Sequence, residues 1–402
     1  MDPLLVVKVD ASSDLLIGSQ SLRWCFFSPG YRSVKVLGGD TSTSGGAEAQ
    51  VAYLAAALAG LGHDVSLIFG DGRASGHVEV ISGVTCIDAA PSWKNVQSLR
   101  HMWRALDAAA PDVIYARLPS DFLWVLSLFA RQRRNVRFIY ALANDLHCSI
   151  WSSYSYKKWF HCPLFALGLI GADTLAIQHE GQERLLGPSL RDRAVQVPNL
   201  VRFIEDSPRR LGAALYDAIW IAQIRPVKQL GVFLDMAAAL PELEFAVVGG
   251  RDLMTSEGEF GMLEDRIARL GNVKYFGPLH SEKVREILAQ SRVLVNTSRA
   301  EGFPNTMLEA WSLGIPVVSL TVDPGGVIVS EGLGRCSGDV ENLVRDVHML
   351  SRTNSLNEEY GRNGLRYVSR RHSLGAVCEA LTKAVPDLVR TPSVALLANR
   401  PV

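Results

Sequence analysis

No G-x-G-x-x-G follows an early strand of this 402-residue chain, and no G-x-x-x-x-G-K-[ST] occurs anywhere in it. The late Gly332-Leu333-Gly334 lacks a third glycine at the right offset, so a dinucleotide-binding dehydrogenase and a P-loop nucleotidase are both disfavoured. D-x-D is missing too, and with it the usual acidic clamp for a metal-bound diphosphate. Any phosphate must then be held by amides and cations. The six cysteines form no C-x-x-C pair and no zinc-finger spacing with histidines, which reads as reduced core thiols. The opening lacks a basic stretch followed by an apolar one, so secretion is not expected. The longest apolar run, Pro163 to Ala172, has ten residues, short of the roughly 20 that span a bilayer. Net charge is absent as well: 41 basic residues face 41 acidic ones, 18 and 17 of them before residue 200 and 23 and 24 after it. Neither half reads as a nucleic-acid binder.

What remains is a chain with 48% hydrophobic residues, long enough for two or three domains with full cores and too apolar for bulk disorder. Short β-branched or aromatic runs alternate with helical patterns, as in a doubly wound α/β chain. Expected strands in the first half are Trp24 to Phe27, Asp64 to Phe69, Asp112 to Ala116, Val136 to Leu142 and Thr174 to Gln178, with an alanine-rich helix from Ala47 that Gly62 stops. The pattern restarts at Ala218 to Ala222. After it come a helix from Lys228 to Leu240 and strands within Leu243 to Gly250, Asn272 to Gly277, Arg292 to Ser298 and Ile315 to Leu320. Two Rossmann-like halves are the economical reading. They meet in Val197 to Gly212, where periodicity lapses, and beyond Asp339 the pattern is helical through Val340 to Arg352, Asn357 to Arg371 and Leu374 to Leu388.

A nucleotide ligand in the cleft beyond the strands' carboxyl ends suits two such halves. Three segments supply suitable groups. Ser44-Gly45-Gly46 opens the first long helix, where free amides meet an anion and glycine permits close approach, unless it is an ordinary loop. Arg225 and Lys228 lie three apart across a Pro turn, both within reach of a diphosphate; the alternative is a solvated lysine, which the helix dipole opposes. The most informative is Glu301-Gly302-Phe303-Pro304-Asn305-Thr306-Met307-Leu308-Glu309, which begins where a strand ends. Pro304 suits a helix's first turn and Gly314 its end. Met307, Leu308, Ala310, Trp311 and Leu313 cover most of that helix's circumference, so Glu309 is a carboxylate in an almost wholly apolar helix and needs polar partners. Sugar hydroxyls would satisfy it and Glu301; the alternative is that Glu309 merely favours the helix dipole.

With SGGAEAQ, the Lys228 loop and Val197-Pro198-Asn199, the E-x7-E pair within EGFPNTMLEA resembles retaining glycosyltransferases of family 4, over roughly residues 22 to 385. The longer run EGFPNTMLEAW with VDPGG resembles the subgroup that builds bacterial cell-surface polysaccharides. This resemblance implies the GT-B fold, with residues 1–205 facing an acceptor, residues 206–375 binding a nucleoside diphosphate sugar, and residues 376–402 forming a C-terminal helix and tail that cross back to the first domain. It implies hexose transfer to a glycan or lipid-linked acceptor with retention, and no metal or cofactor. Glu301 would hold sugar hydroxyls, Glu309 the ribose, the amides of Gly302 to Asn305 the sugar and phosphate, and Lys228 the diphosphate, with Gly45 and Gly46 facing it.

Two departures from the family pattern stand out. Where the family often has Gly-Arg before the lysine, this chain has Ala222-Gln223, and Arg225 is the candidate substitute. Where a functional His-Asp or His-Glu often follows a first-domain strand, this chain has Asn144-Asp145, with His147 two residues on as a compensating or structural histidine. The rival readings are a catalytically silent nucleotide-sugar-binding scaffold and a GT-B epimerase or phosphorylase. A cytoplasmic location is expected, at the inner face of the membrane if two basic clusters touch anionic lipid: Arg131, Arg133, Arg134 and Arg137, and Lys157 to Phe160. A solvated helix end is the alternative for these.

Overall fold

The computed structural model describes residues 21–41, 45–70, 76–89, 96–149, 162–202, 214–252 and 254–388. Buried apolar runs form two sheets. The first holds β1 (Arg23–Phe27), β2 (Asp64–Phe69), β3 (Val78–Ile81), β4 (Val84–Asp88), β5 (Val113–Ala116), β6 (Arg137–Ala141), β7 (Thr174–Ile177) and β8 (Ala194–Gln196). Their order is β3-β4-β2-β1-β5-β6-β7-β8, parallel throughout except for the β3–β4 hairpin. The second sheet holds β9 (Tyr216–Ile221), β10 (Phe245–Val248), β11 (Val273–Tyr275), β12 (Ser291–Asn296), β13 (Val317–Ser319) and β14 (Gly334–Cys336). Its order, β11-β10-β9-β12-β13-β14, is the doubly wound arrangement of a nucleotide-binding sheet. Parallel strands buried on both faces read as continuous apolar runs. That is why β1, β5, β7 and β10 were legible, while the polar Gly334-Arg335-Cys336 of β14 was not.

Each sheet separates two apolar cores. The helix Gly46–Gly60 is apolar nearly all round and is buried accordingly. The helix Leu374–Ala384 places Val377, Cys378 and Leu381 in a core of the first sheet, and Thr174 Oγ1 donates to the Ala384 carbonyl at 2.8 Å. It ends earlier than the apolar pattern suggests because Pro386 disfavours helical geometry just before it. The described cysteines, Cys25, Cys86, Cys148, Cys336 and Cys378, are free thiols. No helix among the described residues is long and apolar enough to cross a membrane.

Candidate functional site

Residues drawn from both sheets' carboxyl ends meet across the cleft. The chain leaves β9 through a 3-10 turn, Pro226–Lys228, and Gln229 takes a left-handed conformation (φ 50°), so the following helix starts at Leu230 rather than at Lys228. That turn is fastened to the loop after β12. Thr297 Oγ1 donates to the Lys228 carbonyl at 2.7 Å, and the Arg299 amide donates to Val227 O at 2.9 Å. Lys228 Nζ consequently donates to Glu301 Oε1, an ion pair whose side chains are 20% and 13% exposed. Arg225 lies close by: its Nη2 donates to Gln223 Oε1 at 2.5 Å and pairs with Asp252 at 3.7 Å, while its Nε is buried without a partner. Gln223, which stands where the resemblance leads one to expect arginine, thus orients Arg225.

The segment Gly302 to Asn305 is engaged by the first domain. A Cβ on Gly302 would lie 2.3 Å from Gln178 Oε1 and 2.7 Å from the Ala143 carbonyl, so glycine alone permits this approach. The Phe303 amide donates to Gln178 Oε1 at 2.7 Å, and Pro304 has no N–H. These two positions therefore offer no amide to a donor, which corrects the expectation for that stretch. Asn305 Nδ2 donates to the Gly46 carbonyl at 2.9 Å, and its Oδ1 accepts from Gln50 at 3.2 Å and Asn199 at 3.2 Å. Asn199 also accepts from Arg117 at 2.6 Å and donates to the Phe303 carbonyl at 3.0 Å. Gly45 is the N-cap of its helix, in extended geometry, and a Cβ there would meet Glu48 Oε2 at 2.5 Å. A carboxylate therefore already stands over this helix end.

Asn305 to Ser312 form the helix, with Pro304 just before it. Its apolar residues are buried as the spacing indicates, and Thr306 and Glu309 share the partly exposed side. Glu309 lines a recess of about 560 Å³, open mouth included, with Gln50, Tyr53, Arg202, Ser281 and Arg285; Lys228 and Glu301 lie outside that lining. Burial pushes the Glu309 carboxyl up to about 7, against the pull of Arg285 and Arg202, and burial and then Glu309 push the Tyr53 phenol up to about 12. A raised carboxyl pKa means that the folded chain holds the proton more tightly than the unfolded chain. Stability at this position is present at low pH and is lost as pH climbs from about 4.5 to about 7. Replacing the group, Glu309→Gln, should raise the urea midpoint at pH 8 by an amount worth about 1–3 kcal/mol and leave it unchanged at pH 4.

On the first-domain side, Asn144 caps its own turn by accepting from the Leu146 amide at 2.9 Å. Asp145 is held by His179 Nε2 at 3.1 Å and Gln182 Nε2 at 3.0 Å, so it is a fixed, partly exposed carboxylate. The His147 pKa is lowered to about 4 by burial and then by Arg117, which leaves the imidazole neutral at pH 7. Of the basic side chains proposed to meet lipid, Arg133 is drawn to Asp107 and over the Phe129 ring at 3.6 Å, and Arg137 pairs with Asp387 at 2.7 Å. Lys157 to Phe160 lie outside the described residues. Sequence reasoning missed Gln50, Arg117, Gln178, His179 and His372. Gln50 carried a signal, being an amide in the middle of an alanine- and leucine-rich helix; the others show their role only once strands far apart in sequence are side by side.

Comparison with known proteins fits this geometry. Residues 45–200 match the model of the glycosyl transferase 4-like domain, and residues 216–352 match that of the glycosyl transferases group 1. One subunit of human phosphatidylinositol N-acetylglucosaminyltransferase is 33% identical over 101 residues, 24% of this chain and 19% of that one, so the match spans about a fifth of this curated relative. The sucrose-phosphate synthase structure from Thermosynechococcus elongatus superposes with a TM-score of 0.70 at 16% identity, over 91% of this chain and 98% of that chain. HepE of Anabaena, solved in complex with UDP-glucose, does so with a TM-score of 0.68 at 16% identity, over 91% and 100%. Both halves of the chain are thus accounted for, and it carries a glycosyl transferase 4-like domain followed by a glycosyl transferases group 1 domain on the two facing Rossmann-like sheets of the GT-B fold.

Proposed function

We propose that the protein transfers a hexose from a nucleoside diphosphate sugar to a glycan or lipid-linked acceptor with retention at the anomeric carbon, as in the synthesis of a cell-surface polysaccharide. One observation carries the reading: Lys228 and Glu301 are locked together at the cleft by Thr297 and Arg299, one turn of chain from Arg225 and its buried, unpartnered Nε. A diphosphate entering here takes over the lysine, and the Glu301 carboxylate so released accepts hydrogen bonds from sugar hydroxyls. The ribose satisfies Glu309, whose side chain makes no hydrogen bond among the described residues and whose charged form is disfavoured by burial.

As the glycosidic bond breaks, charge accumulates on the departing diphosphate while the sugar becomes oxocarbenium-like. Lys228 and Arg225, held in place beforehand, stabilise that charge, and no metal or cofactor is part of the proposal. Glu301 orients the sugar and does not attack it. The acceptor hydroxyl gives its proton to the departing phosphate on the same face. Asp145, fixed by His179 and Gln182, is the proposed acceptor-side contact.

A thermal-shift screen of UDP-, GDP- and ADP-sugars tests the donor half. At 100 times its dissociation constant the true donor should stabilise the fold by about 2.7 kcal/mol, a rise of a few degrees in melting temperature. Glu309→Gln should weaken that shift more for the intact nucleotide than for the free sugar. No response to any of the three nucleotide classes would overturn the assignment.

A further inference from the structure

We propose that the outer face of two first-domain helices, Leu123–Gln132 and Cys162–Gly171, docks on an anionic phospholipid surface. Both helices cover the same face of the first sheet: Leu123, Leu126 and Phe129 share a core with Phe165 and Leu169. They approach unusually closely. A Cβ on Gly168 would fall 2.3 Å from Leu123 Cβ, and one on Gly171 would fall 1.7 Å from Ser127 Oγ, so the backbones are nearly in contact and form a single outer surface. Side chains facing away from the sheet on this surface are apolar. Leu128 is 41% exposed, Leu167 57% and Ile170 51%, although each sits on an element that already buries a full apolar side.

Charge decides what covers this face. Neither helix carries an acidic side chain. At their C-terminal ends stand exposed Arg131 and Arg134, and Arg193 donates to the Ile170 carbonyl at 2.8 Å. Arg133 and Arg137 are drawn away to Asp107 and Asp387, so the cationic rim is set by Arg131, Arg134 and Arg193 rather than by the basic run as a whole. A second copy meeting the two helices about a two-fold axis would bring arginine towards arginine with no carboxylate on either helix, Asp121, Asp173 and Asp192 lying only at their margins. Anionic headgroups complement the rim, and leucine and isoleucine seat at the acyl boundary between them. Because each crossover helix runs antiparallel to its strands, both helices begin at the cleft end. A protein seated this way keeps its cleft beside the lipid surface.

Sedimentation of the full chain with vesicles tests the proposal without any donor or acceptor, so its outcome is separate from that of the transferase reading. Vesicles of equal parts phosphatidylcholine and phosphatidylglycerol should carry the protein down at low salt, and pure phosphatidylcholine should not. Leu167→Glu/Ile170→Glu and Arg131→Gln/Arg134→Gln should each lower the partition coefficient roughly tenfold or more. All four positions are exposed, and unchanged melting curves would show that the variants remain folded. Absence of binding to the mixed vesicles, equal binding to the neutral ones, or binding that neither double variant reduces would overturn the proposal. So would concentration-dependent self-association through this face with vesicles left unbound.

Discussion

Lys228→Ala should lower the rate of nucleoside diphosphate release by about 10²- to 10³-fold, the usual cost of removing one positioned group from a developing anion. The same change leaves Glu301 without its cation in a setting where that carboxylate is 13% exposed, so a loss of about 2 kcal/mol in stability is also expected. The two effects separate in a double variant. Lys228→Ala/Glu301→Gln should recover most of the stability, since no uncompensated charge remains, and recover none of the activity. Urea unfolding and single-turnover kinetics on the donor identified by thermal shift measure both. Full activity in Lys228→Ala would remove the lysine from the chemistry altogether.

Gly302→Ala should be nearly as damaging for a different reason. The added methyl would sit 2.3 Å from Gln178 Oε1, 2.7 Å from the Ala143 carbonyl and 3.1 Å from Asn144 Cα. The first neighbour is a side chain and can turn aside, but the other two are backbone. Each domain should fold as before, while the cleft is wedged open by an ångström or more. Misplacement on that scale costs about 100-fold in rate. Donor affinity, which depends on the second domain, should change little by calorimetry. Small-angle scattering should show an expanded particle, and the further change Gln178→Ala should not restore activity. Normal turnover in Gly302→Ala would mean that the observed domain contact is not the reacting arrangement.

Much of this architecture was legible because buried parallel strands announce themselves as β-branched runs. Asp64–Phe69 and the helix Val340–Arg352 fall where the pattern placed them. The β3–β4 hairpin was legible too but went unread: Val78 to Ile81 alternates in exposure, and Ser82 and Gly83 both take positive φ, the mark of a tight hairpin turn. In the site, the eight-residue spacing of Glu301 and Glu309 drew attention to the loop after β12 and the helix Asn305–Ser312. Spacing could not reveal that Glu301 meets Lys228 while Glu309 looks into a separate recess, because the partners are 73 positions apart and the recess is walled by both domains. The amides of Gly302 to Asn305 were assigned to a ligand with no sign that Phe303 N–H and the Asn305 side chain are engaged within the protein. Their partners, Gln178, Gln50, Asn199 and Gly46, lie 100 to 260 positions away, where local pattern carries no information.

The chain passes between the domains twice, once after Val197 and again just before the helix Leu374–Ala384, and the two passages are bonded to each other. His372 Nδ1 donates to the Asn199 carbonyl at 2.8 Å, and the Val201 amide donates to the His372 carbonyl at 3.0 Å. A single tether would let one lobe wobble and twist freely over the other. Two passages stitched side by side oppose the torsion that a single tether would allow, and so hold the two lobes in one mutual register.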